Sequence, residues 1–146
     1  MGKYIVLAGE KTWDTINGVW AVVKQGSFTP DSVYLLGKER DIEEVKDDIT
    51  TIFDHYEMDV ESLLLVSDGS PGEKIEEVLD GSERVALDVS GATKSFAVEV
   101  LIHPVAERFD RVYCLQSSKA EVYRDRPYPV QNREKTVLKE LIGGKI

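Results

Sequence analysis

The chain has 146 residues, 42% hydrophobic and 31% charged, the composition of one globular domain and not of a disordered or fibrous chain. A formal net charge of −9 excludes a protein that coats long DNA or RNA through a broad basic face, but leaves room for a small anionic ligand held by helix N-termini and a few lysines. One cysteine, Cys114, and two histidines, His55 and His103, exclude a disulfide framework and a cysteine-based metal site.

No apolar run reaches the length of a membrane span. The run that follows Met1 is too short for a signal-peptide core, so a cytoplasmic protein without membrane contact is the expectation. Lys3–Ala8 (KYIVLA) is the first predicted strand. Ile16, Val19, Trp20 and Val23 then recur at helical spacing, with Gly26 placed as the stop. Ser32–Gly37 (SVYLLG) is the second strand. In RDIEEVKDDITTIFDHYEM, Ile42, Val45, Ile49, Ile52, Phe53 and Tyr56 form one stripe of a second helix whose acidic face is solvated. Leu63–Ser67 is the third strand. Ser70, Pro71 and Glu73 then read as N-cap, first-turn proline and capping-box partner of a third helix that Gly81 closes. Arg84–Ser90 is the fourth strand, and a fourth helix starts near Thr93 and ends before Pro104. Arg111–Gln116 is the fifth strand.

Four strand–helix repeats built on nearly continuous apolar strands predict an α/β fold. It is a Rossmann-like, doubly wound, mostly parallel sheet with right-handed crossovers and helices on both faces. RVYCLQSSKAEVYRD reads as two strands joined by a polar turn, a C-terminal β-hairpin at the sheet edge. The tail from Arg126 begins extended, because Pro127 and Pro129 forbid helix there, and leaves room for a short helix at its end. On this reading residues 1–125 form the domain, and 126–146 an extension packing on the same domain or on a dimer partner.

Ligands of such sheets bind beyond the carboxyl ends of the strands, where the strand order reverses. With the order 3-2-1-4-5 that point lies between the first and fourth strands. The loops Gly9–Asp14 (GEKTWD) and Ser90–Ser95 (SGATKS) meet there. Their chemistry suits phosphate: Gly91 and Ala92 add little bulk, Ser90, Thr93 and Ser95 offer hydroxyls, and Lys11 and Lys94 add charge beside helix N-termini, while Trp13 can stack on a base. A plain tight turn with a solvated lysine explains the same composition equally well. A dinucleotide fingerprint and a P-loop both fail on glycine spacing. Asp68, at the end of the third strand, is either a pocket-rim residue or a turn residue. His55 and His103 read as surface or packing residues and Cys114 as a small hydrophobe within a strand.

ALDVSGATKSFAVEV resembles the signature of CRISPR-associated Rossmann-fold (CARF) domains, in which a strand ends in Asp, an aliphatic residue, Thr or Ser, Gly-Gly-Thr-Lys, and opens a helix. The segment IVLAGEKTWDTINGV occupies the position of the family's other ligand loop. The sequence departs in having Ala92 where a second Gly is usual and Ser90 where Thr is common. The resemblance implies a cyclic oligoadenylate ligand, with cyclic tetra-adenylate the expected ring, no cofactor and no metal. Ser90, Gly91, Ala92, Thr93, Lys94 and Ser95 would hold the ring's phosphates and riboses, and Gly9 to Trp13, Glu10 included, would form the opposing wall. A ring with even rotational symmetry implies a homodimer with the ring at the two-fold interface. A standalone domain of this family resembles the ring nucleases, whose metal-independent cleavage would here engage Lys94, Lys11 and Thr12. The alternative is a non-catalytic sensor or sponge acting through a partner protein.

Overall fold

Alternation along Tyr4-Ile5-Val6-Leu7-Ala8 decides the layering of the molecule. In the structure, a computed structural model that describes residues 2–67, 69–117 and 136–142, Tyr4, Val6 and Ala8 enter one hydrophobic cluster and Ile5 and Leu7 the other, all essentially inaccessible. Strand β1 (Gly2–Ala8) is therefore covered on both sides, as a central parallel strand must be. The chain continues through α1 (Thr12–Gln25), β2 (Ser32–Gly37), α2 (Glu39–His55), β3 (Glu61–Val66), α3 (Pro71–Val78), β4 (Arg84–Asp88), α4 (Lys94–Ile102), a 3-10 turn (Pro104–Arg108), β5 (Arg111–Ser117) and β6 (Thr136–Ile142). The sheet order is β3-β2-β1-β4-β5-β6, with the first five strands parallel and β6 antiparallel to β5. This is the expected Rossmann-like doubly wound sheet, reversing between β1 and β4.

The helices divide by the faces they bury. Ile16, Val19, Val22 and Val23 of α1 and Ile42, Val45, Ile49, Ile52 and Phe53 of α2 pack on the Tyr4–Val6–Ala8 side. Ile75 of α3, Val100 of α4 and Val105 and Phe109 around the 3-10 turn pack on the Ile5–Leu7 side. Gly26 stops α1 in the left-handed region at φ 65°, with its N–H returned to Val22 and Val23. Ser70 caps α3, its hydroxyl accepting the Glu73 N–H at 3.4 Å. Among the described residues no helix is long and apolar enough to cross a membrane.

The structure corrects the sequence reading at several boundaries. α3 ends at Val78, before Gly81, because Leu79 turns extended to bury its side chain and Asp80 then accepts Ser82 N–H at 2.9 Å in a turn of its own. β3 starts at Glu61, two residues ahead of its apolar run, because backbone pairing with Ser32 and Val33 of β2 extends it. Residues 136–142 are a strand, with no C-terminal helix there: ladder bonds to β5 along Thr136-Val137-Leu138 override a local pattern that suits either state. The second strand expected for the hairpin, within residues 118–125, lies outside the described residues.

Candidate functional site

β4 ends in Asp88, and this carboxylate organises the loop that follows. It is buried, accepts the Ser90 N–H on Oδ1 at 2.9 Å, and accepts the Tyr4 hydroxyl on Oδ2. Burial pushes its pKa above the ordinary 3.8, opposed by the bonds from Ser90 and Tyr4, and burial followed by the Asp88 charge raises Tyr4 well above 10.0. Ser90 in turn accepts the Leu115 N–H on its hydroxyl at 2.9 Å, tying the loop to β5. Ala92 N–H returns to Val89 O at 3.1 Å, and Thr93 caps α4 by accepting the Phe96 N–H at 3.3 Å.

The two loops at the switch point are in contact. A Cβ on Gly9 would lie 2.2 Å from the Gly91 carbonyl oxygen, and one on Gly91 would lie 1.6 Å from Thr15 Oγ1 of α1. Both glycines are therefore dictated by close approach of backbone to neighbouring protein.

Beside this contact, at the carboxyl ends of β1, β2 and β3, lies a cavity of about 420 Å³. Gly9 and Glu10 form one side, Gly37, Lys38 and Asp41 the next, Ser67, Gly69 and Pro71 the third, and Thr93, Ser95, Phe96 and Glu99 the last. Its size falls in the range of small-molecule sites, about 300–1,000 Å³. The starts of all four helices gather around this end of the sheet. Ser70 and Thr93 cap two of them, whereas α1 and α2 have Lys11 and Lys38 at the N-cap, neither making a side-chain cap bond. At α1 the Thr12 N–H returns instead to the Glu10 carbonyl at 3.1 Å. Among the described residues Lys38 is the one cation in the lining, set with Glu10, Asp41 and Glu99.

Neither the scan against protein-family models nor the search of curated proteins finds a match to this chain.

Four of the residues singled out from sequence, Gly9, Glu10, Thr93 and Ser95, share the cavity wall. The other described ones are not part of that wall. Lys11 and Lys94 stand exposed at the starts of α1 and α4, each next in sequence to a residue of the wall, and Trp13 is exposed on the first turn of α1. Thr12 donates its hydroxyl to Glu44 Oε2 at 2.9 Å, towards α2. Ser90, Gly91 and Ala92 are buried: the Ser90 hydroxyl is engaged with β5, so the residue holds the loop in place, and Gly91 serves contact with α1. Asp68 lies outside the described residues. His55 is exposed and meets the Tyr56 ring edge-on at 5.0 Å, while His103 packs on Gly72 and accepts the Val105 N–H on Nδ1 at 3.0 Å, both packing or surface roles. Cys114 is half-buried against the second cluster.

Sequence reasoning missed Lys38, Asp41, Phe96 and Glu99. Lys38 and Asp41 had a signal. β2 neighbours β1, so the loop after it must reach the same rim, and Gly37-Lys38 brings a glycine and a lysine there.

Proposed function

We propose that the protein binds cyclic tetra-adenylate, a second messenger of type III CRISPR defence, and cleaves it as a metal-independent ring nuclease in the cytoplasm. The observation that carries this reading is the Asp88–Ser95 turn, whose sequence resembles the CARF signature, locked against Gly9 at the switch point beside a cavity of about 420 Å³. The lining chemistry supports a division of the ligand. Glu10, Asp41 and Glu99 beside Lys38 suit the amino-bearing edge of a neutral base better than a phosphate. The ring's phosphates belong on the rim, where Lys11 and Lys94 are exposed next to helix starts. The cavity of each chain is sized for part of a ring, so two chains about a two-fold axis would enclose it.

Cleavage in this reading needs geometry and charge stabilisation. A ribose 2′-oxygen attacks the adjacent phosphorus in line, the 5′-oxygen leaves, and the ends are a 2′,3′-cyclic phosphate and a 5′-hydroxyl. The 2′-hydroxyl gives up its proton and the leaving oxygen gains one. Lys94 and Lys11 would stabilise the phosphorane charge.

The second reading, a non-catalytic sensor or sponge, is favoured by one observation: Thr12 and Ser90 already spend their hydroxyls on Glu44 and Leu115 and are not poised to orient a ribose. Incubation of the full chain with cyclic tetra-adenylate in the presence of a chelator, followed by separation of products, tests both. Linear product that disappears in Lys94→Ala supports the nuclease. Tight binding with an intact ring supports the sensor and overturns cleavage. Absence of binding points to an unrelated Rossmann-like domain.

A further inference from the structure

β3 is an outer strand of the sheet, and its open edge has a defined hydrogen-bonding face. The Glu61 N–H donates to the Asp31 carbonyl at 3.1 Å and the Ser67 N–H to the Gly37 carbonyl at 2.8 Å, so Glu61, Leu63, Leu65 and Ser67 turn their backbone groups to β2. Ser62, Leu64 and Val66 turn theirs the other way, a row of N–H and C=O groups along the edge. Edge strands are ordinarily blunted by a proline, a lysine or a bulge. β3 has none of these: ESLLLV pairs with β2 over its whole length without a register shift, and its one charge, Glu61, stands at the first residue. Leu63 and Leu65 anchor the strand on the second hydrophobic cluster, while Leu64 and Val66, on the opposite face, stay 47% and 44% exposed. Among the described residues no strand pairs on its outer side.

The same flank is the acidic pole of the chain. Residues 39–78, which supply α2, β3 and α3, contain fourteen Asp and Glu against three Lys and Arg, a net −11 where the whole chain carries −9. Asp54, Glu57, Asp59 and Glu61 lead into the strand, all exposed. We propose that the β3 edge is a docking site for an extended, basic segment of another protein, which adds to the sheet as a further strand. Backbone bonds to Ser62, Leu64 and Val66 hold the guest, every second guest side chain is apolar and lies beside Leu64 and Val66, and Lys or Arg near its end meets Asp59 and Glu61. A second copy would bring two acidic flanks together, and nucleic acid or an anionic lipid surface would be repelled. β3 leads directly into Ser67 and Gly69 of the cavity wall, so the guest lies against an element that borders the cavity. The site stands on the strand and its charge and does not rest on the identity of the ligand.

Panning a displayed library of random peptides, each about ten residues long, on the full chain tests this, followed by titration of the enriched peptides in synthetic form. The expected peptides alternate apolar residues and carry Lys or Arg, and on binding they slow hydrogen exchange at the Ser62, Leu64 and Val66 amides. Raising the salt from about 0.05 to about 0.5 M should weaken them by about threefold or more. Leu64→Lys puts a charge on the apolar face, and Leu64→Pro removes one outward N–H while sparing the bonds to β2; each should weaken binding by about tenfold or more. Circular dichroism should be the same for both variants and the original chain. No enrichment, enriched peptides without basic residues, binding that survives Leu64→Pro, or protection confined to the cavity loops would each overturn the proposal. Protection of the β3 amides that grows with the concentration of the chain alone would overturn it too, by assigning the edge to a second copy.

Discussion

Asp88 shows how a single buried carboxyl sets the geometry of the loop above it. Its two oxygens satisfy the Tyr4 hydroxyl and the Ser90 N–H in a place closed to bulk solvent. Asp88→Ala leaves both donors unpaired and should cost about 2–4 kcal/mol in urea unfolding, whereas Asp88→Asn keeps an acceptor for Ser90 and should cost less. The sign of the pH dependence follows from the raised folded pKa. Between the unfolded value near 4 and that raised value, the folded chain keeps a proton that the unfolded chain releases. Stability from this group is therefore fully present below the unfolded value and falls as pH rises through the window. Asp88→Asn should remove that part of the slope, and an unchanged slope in urea titrations across the window would show that Asp88 is not its source. Gly91 offers a second check: Gly91→Ala places a Cβ 1.6 Å from Thr15 Oγ1, so the loop must shift, with an expected loss of about 1–3 kcal/mol in thermal unfolding.

At the scale of elements, caps carry much of what the sequence made visible. Ser70 and Thr93 each accept an N–H from three residues on; the Ser70 cap was legible from the proline and glutamate that follow it, whereas at Thr93 only the start of the helix was. Ser70→Ala and Thr93→Ala should each cost about 1 kcal/mol in chemical denaturation. Only Thr93→Ala should also weaken ring binding, since Thr93 lines the cavity and Ser70 does not. Helix stripes and buried strands were legible because burial imposes a period on residue type, as with Ile42, Val45 and Ile49 of α2. β6 was not, because its strand state comes from pairing with β5, a contact distant in sequence. The end of α3 was misplaced for a related reason: Leu79 leaves the helix to reach the core, and a glycine further on had only to turn the loop.

At the scale of the whole molecule, topology placed the site and chemistry only half filled it. The reversal between β1 and β4 followed from the strand–helix rhythm, and with it the meeting of Gly9 with the Gly91 turn. What sequence could not resolve was which face of each loop residue looks outward. Ser90 and Thr12 have the right chemistry for a ligand, but their hydroxyls are directed at Leu115 and Glu44. Lys38 and Asp41, from a loop that composition did not single out, stand in the wall. The account as a whole predicts a ring shared by two chains, the rim lysines holding its phosphates. Isothermal titration of the full chain with cyclic tetra-adenylate tests this most directly. The account predicts saturation at one ring per two chains, with affinity falling at least tenfold in Lys94→Ala; no heat of binding, or saturation at one ring per chain, would contradict it.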